Sequence, residues 1–293
     1  MLKPILLASR PKTLPAAIVP VWAGCVLAWK LTGQFSWVLA LCTLGSAIAI
    51  QIATNFFNDA LDHDKGADTD KRLGPIRATA SGLLSRKVVY SLATGFLGVA
   101  VLLSLPLIQE RGLAIIAIGL PSLFLAYGYT GGPFPLAYLG LGEIFVILFF
   151  GLIAVMGTVF VQTGQLFPEA FWLGLVVGSL SAVLITINNL RDVEEDAQSQ
   201  KRTLAVRFGW KKGRHLLLVE YLLAILGLSF CLHSLGFTTL GLPAILILIV
   251  LPSYYFRSAV KTTPPSPRYN KFLALAGLHL VAFAAAFHGL LAL

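Results

Sequence analysis

Asp59, Asp62, Asp64, Asp68 and Asp70 crowd one short window, and Asp192, Glu194, Glu195 and Asp196 another, so nine of the 13 acids occupy two places. If 51–62 is helical, Gln51, Asn55, Asn58, Asp59 and Asp62 follow one another by 4, 3, 1 and 3 residues and line one face. Asn188, Asp192 and Asp196 do the same in the second window. Carboxylates gathered in this way repel one another. Each also costs about 2.5–3.5 kcal/mol at mid-membrane, and less near the interface. A divalent cation resolves the repulsion, and Asp and Asn oxygens without His or Cys suit Mg²⁺. Mg²⁺ takes few protein carboxylates and completes its shell with water and substrate phosphate. The pattern therefore predicts a diphosphate held by metal between the two windows, with Lys65, Arg72, Arg77, Lys201 and Arg202 on the remaining phosphate oxygens. The competing reading is a pair of helix ends whose acids pair with neighbouring Lys and Arg. Two Asn-plus-Asp windows on one side of the chain favour the metal. The stretches "TNFFNDALDHDKGADTDKR" and "TINNLRDVEEDAQSQKR" also echo each other, as an internal duplication would.

The elements that must position these groups are apolar helices. Of the 293 residues 57% are hydrophobic and 12% charged, with a mean hydropathy of +0.83; a soluble domain carries about a quarter charged residues. Nine runs are apolar enough to span a bilayer, at 14–31, 36–57, 88–108, 112–130, 136–162, 170–190, 215–234, 237–256 and 271–292. The fifth is long, with a tilt or kink expected near Gly151. With the N-terminus on the cytoplasmic side, every Lys and Arg except Lys30 and Arg111 falls in cytoplasmic segments, and both acidic windows sit at cytoplasmic helix ends. The expected fold class is all-α: a polytopic membrane protein, about nine transmembrane helices around a central cavity with cytoplasmic capping loops. It forms a single membrane-embedded domain over 1–293. The polar stretches 58–87 and 190–214 are loop-sized. The net charge of +9 is absorbed by this loop bias, so no nucleic-acid partner is implied. Cys25, Cys42 and Cys231 lie in apolar segments without metal spacing and read as small hydrophobes. The N-terminal "MLKPILLASRPKTLP" has no cleavable-signal pattern, and the first span is expected to serve as the membrane signal.

Outside the windows, Glu143 in "GLGE" is an acid near the start of a span, a functional-site expectation that includes binding or deprotonating a substrate hydroxyl. Arg10 and Lys12 are candidates for a substrate carboxylate or for topology anchors, and Tyr127 and Tyr129 read as interface tyrosines. His279 and His288 show no metal spacing and read as structural.

"NDALD" at 58–62 and "DVEED" at 192–196 resemble the paired aspartate motifs of the UbiA superfamily of intramembrane prenyltransferases. Four blocks sharpen the resemblance: "SRPKTLPAAIVPVWAG" at 9–24, "NDALDHDKGADTDKRLGPIRATASGLLS" at 58–85, "YTGGPFPLAYLGLGEIFVILFFG" at 129–151 and "NNLRDVEEDAQSQKRTLAVRFG" at 188–209. Together they are similar to the branch that prenylates 1,4-dihydroxy-2-naphthoate in menaquinone synthesis. Many superfamily members carry a further Asp where this chain has Gly66, which leaves open whether Asp64, Asp68 or neither takes that place.

The resemblance implies a cell inner-membrane enzyme whose substrates are a polyprenyl diphosphate and 1,4-dihydroxy-2-naphthoate. It implies Mg²⁺ held by Asn58, Asp59, Asp62, Asp192 and Asp196, with Asp62, Asp192 and Glu143 catalytic. Asn55, Asn58, Asn188, Lys65, Arg72, Arg77, Lys201, Arg202, Arg10 and Lys12 would bind substrate. Prenyl loss of diphosphate would yield an allylic cation, which the ring attacks with release of carbon dioxide. Another aromatic acceptor, such as 4-hydroxybenzoate, is the alternative. A phosphatidyl-alcohol transferase is excluded because His63 stands where its motif needs Gly. A transporter is disfavoured because its acids lie near mid-membrane on broken helices, not at helix ends.

Overall fold

The computed structural model describes residues 2–66 and 72–292, the side chains of Thr238 and Leu240 excepted. Asp68, Asp70 and Lys71 lie outside the described residues. The described chain is all-helical. In order come α1 (Leu2–Ser9), α2 (Pro15–Thr32), α3 (Trp37–Asp64), α4 (Arg86–Arg111) and α5 (Leu113–Gly128). A long helix follows as α6 (Gly142–Val146), a π stretch (Ile147–Ile153) and α7 (Ala154–Thr163). Then come α8 (Pro168–Arg191), α9 (Val193–Gln198), α10 (Leu204–Gly213) and α11 (Leu216–Ser234). A second interrupted helix runs through α12 (Thr238–Ile245), a π stretch (Leu246–Val250) and α13 (Leu251–Thr262), and α14 (Tyr269–Leu291) closes the chain.

Eight of these units are long and apolar enough to cross a membrane. The ninth expected span, at 112–130, is observed as the 16-residue α5. At 1.5 Å per residue it is about 24 Å long, short of a hydrocarbon core of about 30 Å. Its start is set by the break at Gly112, which also ends α4.

Local chemistry explains the boundaries. Ser36, Ser85 and Thr203 cap α3, α4 and α10 by accepting from the backbone N–H three residues on. Lys30 and Arg111, the two basic residues expected outside the cytoplasmic segments, donate to the carbonyls of Leu291, and of Val161 and Gln162, at the C-terminal ends of α14 and α7. The kink expected near Gly151 is a π stretch containing that residue, packed on α8. A Cβ on Gly151 would lie 2.3 Å from the Gly174 carbonyl oxygen, and one on Gly178 would lie 2.6 Å from that of Ile147. The two backbones touch, which is how membrane helices pack without a hydrophobic drive between them.

α8 is the central helix, with 78% of its apolar window buried. It packs on α11, α14 and the π stretch, and the main core cluster joins α8, α11 and α14 to α2 and α7. α3 pairs with α4 along a separate seam centred on Phe56, Phe57 and Val89. Between the two seams a cavity of about 420 Å³ opens, walled by α2, α3, α4, α5, the α6–α7 helix and α8. The three cysteines are free, with Cys25 and Cys231 buried. His279 contacts the Leu248 carbonyl, and His288 accepts from the Trp22 indole.

Candidate active site

The C-terminal tips of α3 and α8 meet at one end of the cavity. Asn58 and Asp62 from the first tip, and Asn188, Asp192 and Asp196 from the second, all line it, with Arg72, Arg77 and Lys201 among them. The helical face read from the sequence therefore exists, and its members project into one space.

Asp59 is turned away. Its carboxylate accepts from the backbone N–H groups of Ala78 (3.1 Å) and Thr79 (2.8 Å) and from the Thr79 hydroxyl (2.5 Å). It is 1% exposed and does not line the cavity. One residue along a helix is a rotation of about 100°, enough to move Asp59 from the substrate side to the side that holds the 78–84 turn. Asp64 is also occupied elsewhere, with Arg86 at 2.8 Å and Tyr90 at 3.2 Å. Gly66 stands where the superfamily has its further Asp, and it adopts a left-handed φ of 65° just past the end of α3. That conformation suits Gly and strains a side-chain-bearing residue.

The remaining carboxylates are paired. Arg77 donates to Asp62 at 2.8 Å, and the Tyr138 hydroxyl donates to its other oxygen at 3.0 Å. Arg191 holds Asp192 through two bonds of 2.6 Å. Lys201 sits 3.5 Å from Asp196, whose second oxygen is buried without a hydrogen-bond partner. Burial pushes the Asp196 carboxyl up to about 6; Lys201 opposes this, while Asp192, Asp62 and Glu195 add to it. Burial alone would lower the Lys201 ammonium, but Asp196, Asp62 and Asp192 outweigh it and raise it above the usual lysine range. The acids thus have basic partners, and they line one cavity from two helices. Among the described residues no three His, Cys, Asp or Glu come together closely enough to hold a metal ion.

Three groups with no signal in the local sequence complete this end. Tyr138 bridges the tips: its hydroxyl meets Asp62, while Lys65 stands 3.9 Å and Lys201 5.7 Å from its ring centroid. Thr130 donates to the Asn58 side chain, and its carbonyl accepts from Lys65 at 2.5 Å. The segment carrying both is tied to the second tip by Arg202 N–H to Tyr138 O (3.1 Å) and by Arg207 to Leu139 O (2.8 Å). Arg191, 2% exposed, also donates to Asn188 (2.8 Å) and Asn270 (2.7 Å), and Asn270 in turn donates to Leu73 O (3.0 Å). Arg191 therefore joins α8, α14 and the 72–75 loop.

Deeper in the cavity, Asn189 donates to one oxygen of Glu143 at 3.0 Å. The other Glu143 oxygen is buried without a hydrogen-bond partner on the cavity wall. Tyr129 lines the same wall, against the expectation of an interface tyrosine, and burial followed by Glu143 raises its phenol above the usual range. Tyr127 does not line the cavity and packs edge-on against Phe57. Asn55 lines the cavity and donates to Ser9 O (2.9 Å) and the Thr13 hydroxyl (3.0 Å). Arg10 lines it too, while Lys12 and Arg202 are exposed and outside it. Beyond this level the walls turn apolar, through residues such as Ala100, Leu107, Phe149 and Val161.

A description of the UbiA prenyltransferase family matches residues 17–287. The chain is 37% identical to the 1,4-dihydroxy-2-naphthoate octaprenyltransferase of Haemophilus influenzae, over 70% of this chain and 69% of that one. It is 39% identical to the Mycobacterium tuberculosis protein of the same name, over 76% of each. A solved UbiA homologue from Archaeoglobus fulgidus, bound to DMAPP and Mg²⁺, shares the fold with a TM-score of 0.72 at 16% identity, over 98% of each chain.

Proposed function

The chain belongs to the UbiA prenyltransferase family, and from that premise we propose that it transfers a polyprenyl group from polyprenyl diphosphate to 1,4-dihydroxy-2-naphthoate. Carbon dioxide and diphosphate are lost, and the product is the demethylmenaquinone skeleton of menaquinone synthesis. The observation that carries this reading is the meeting of two acidic, cation-rich helix tips at the mouth of one largely apolar cavity. A prenyl diphosphate has that same division, a dense anion joined to a hydrocarbon tail. The relatives named for the naphthoate acceptor supply the acceptor's identity.

The donor set fits a hard cation. Asn58, Asp62, Asp192 and Asp196 offer only oxygen, and the buried, unpartnered Asp196 oxygen is a ligand position in waiting. Bound by these residues, Mg²⁺ would supply charge neutralisation for the departing diphosphate. Lys201, Arg72 and Arg77 hold phosphate oxygens from the same mouth, and Lys65 does so from above Tyr138. Asp59 instead anchors the loop that carries Arg77.

The C–O bond of the allylic diphosphate breaks with its electron pair going to diphosphate. The apolar walls keep water from the resulting cation. The electron-rich ring forms the new C–C bond, and the pair released as the carboxylate leaves as carbon dioxide restores aromaticity. Glu143, fixed by Asn189, accepts a hydrogen bond from a ring hydroxyl and raises the electron density of the ring as it does so. Arg10 meets the acceptor's carboxylate. The protein is a single domain in the bacterial inner membrane, and the positive charge gathered at the site end argues that this end faces the cytoplasm.

The test is the mass of the product when membranes containing the protein receive polyprenyl diphosphate and either 1,4-dihydroxy-2-naphthoate or 4-hydroxybenzoate. A prenylated, decarboxylated naphthalene product is expected. Product from hydroxybenzoate alone overturns the reading.

A further inference from the structure

Gln51 lines the cavity one turn below Asn55, and its orientation is dictated by a chain of hydrogen bonds that begins at a backbone carbonyl. The Ser9 carbonyl can only accept, so the Asn55 group 2.9 Å from it must be the amide nitrogen. That fixes the Asn55 carbonyl oxygen toward Gln51, which must then present its own nitrogen at 3.4 Å. The Thr13 hydroxyl agrees. It donates to Arg10 O at 3.0 Å, so its lone pairs remain to accept from Asn55 at 3.0 Å and Gln51 at 3.3 Å. The Gln51 carbonyl oxygen is what remains. It is buried, has no hydrogen-bond partner, and belongs to a side chain 8% exposed.

Besides the Asp196 oxygen at the helix tips and the Ser181 hydroxyl, the cavity therefore holds two unsatisfied amide or carboxylate acceptors on different helices, the Gln51 oxygen on α3 and the free Glu143 oxygen on α6. Each is held by a donor contact at its other end, Gln51 through its amide nitrogen and Glu143 by Asn189. A buried acceptor left open is costly and selects for a donor. We propose that Gln51 reads a second phenolic hydroxyl of the acceptor, so that a dihydroxylated ring is gripped at both oxygens, one by Glu143 and the other by Gln51. The inference rests on the functional reading above and deepens it: the site selects para-dihydroxylated aromatic acids over monohydroxylated ones. This is the discrimination available to a pocket that would otherwise leave its own polar group unpaired.

The test uses full-length protein in membranes with three ligands. These are 1,4-dihydroxy-2-naphthoate as substrate, and 1-hydroxy-2-naphthoate and 4-hydroxy-2-naphthoate as competing monohydroxy acids. Gln51→Leu is expected to raise the KM for the dihydroxy acceptor about tenfold or more and to leave the KM for prenyl diphosphate unchanged. It should weaken one of the two monohydroxy inhibitors and spare the other, which lacks the hydroxyl that Gln51 meets. Gln51→Glu keeps an acceptor oxygen and loses the amide donor, so it should hold acceptor KM within about threefold of wild type. If Leu is not tolerated at this position, the Glu variant alone decides: a tenfold loss there means that Gln51 serves only to prop Thr13 and Asn55. An unchanged acceptor KM in Gln51→Leu, equal weakening of both inhibitors, or a parallel rise in prenyl diphosphate KM also overturns the inference. Wild-type protein that fails to prenylate the dihydroxy acid overturns the functional reading instead.

Discussion

Arg191 and Asp192 are neighbours in the chain, yet the guanidinium folds back to grip the carboxylate through two bonds of 2.6 Å at the very end of α8. With Arg191 2% exposed, this is a charge pair enclosed by protein. Such a pair is costly to break from one side, because the remaining charge stays buried. Asp192→Ala is therefore a poor probe of catalysis, since it orphans Arg191. Asp192→Asn keeps a hydrogen-bonding partner. Asp62→Asn and Asp192→Asn should each lose at least about a hundredfold in kcat in protein that remains folded, with a smaller loss of melting temperature than the alanine variants. Chelation of wild-type protein should abolish turnover, with recovery on adding Mg²⁺. Near-normal rates in both variants would remove the paired-tip mechanism.

Arg191→Met should lower the melting temperature of detergent-solubilised protein, through a loss of about 3–5 kcal/mol. The substitution severs α8 from Asn270 and from the 72–75 loop and leaves Asp192 without its main partner. Unchanged thermal stability would show that the knot is dispensable.

Glu143→Gln should lower kcat about a hundredfold while the KM for prenyl diphosphate stays near wild type, because Glu143 touches Asn189 and the acceptor wall and not the helix tips. Asn189→Leu frees the same carboxylate from the 3.0 Å bond that orients it and should reproduce part of that loss. A rise in prenyl diphosphate KM without a change in kcat would place Glu143 on the wrong substrate.

Asp196 sets a dependence on pH in metal-free protein. Its carboxyl is raised from 3.8 to about 6 by burial, so the folded chain keeps a proton that the unfolded chain has released across that interval. The contribution to stability is full below the lower value and is lost as pH rises through the upper one. Melting temperature should fall between about pH 4 and about pH 6.5 more steeply in wild type than in Asp196→Asn. Parallel curves would show that Asp196 has no such role.

Gly178→Ala should destabilise by about 1–3 kcal/mol, because its new methyl would press on the Ile147 carbonyl at 2.6 Å with backbone on both sides. Gly98→Ala, with open space at its Cβ, is the control, and its melting temperature should not fall.

Hydropathy and charge made the spans legible, and the repeated Asn-plus-Asp spacing made both helix tips legible, because those signals are local. What escaped was resolution within a face and contacts between distant segments. Asp59 and Asn58 are adjacent in sequence, and only the turn that arrives from 78–79 decides which of them faces the cavity. Tyr138 meets Asp62 across 76 residues, and Asn189 meets Glu143 across 46, so no window of sequence contains either pair. Lys12 and Arg202 read as substrate ligands from charge alone, but each neighbours the residue that does line the cavity on the same stretch, Thr13 in one case and Lys201 in the other. α5 read as a full span because the apolar run continues past Gly128, into a loop that turns to carry Tyr129 and Thr130 to the site.

The wide turn at Ile147–Ile153 has a consequence for how this chain tolerates change in length. A π turn stores surplus backbone inside an otherwise regular rod. Removing one residue there would restore ordinary pitch and leave the half bearing Glu143 at nearly the same azimuth relative to the half bearing Thr158, whereas removing one from the regular turns on either side would swing the halves by about 100°. The stretch thus acts as slack in the rod: a single residue can be lost there without turning the acceptor wall away from the tail groove, a tolerance the regular turns beside it lack.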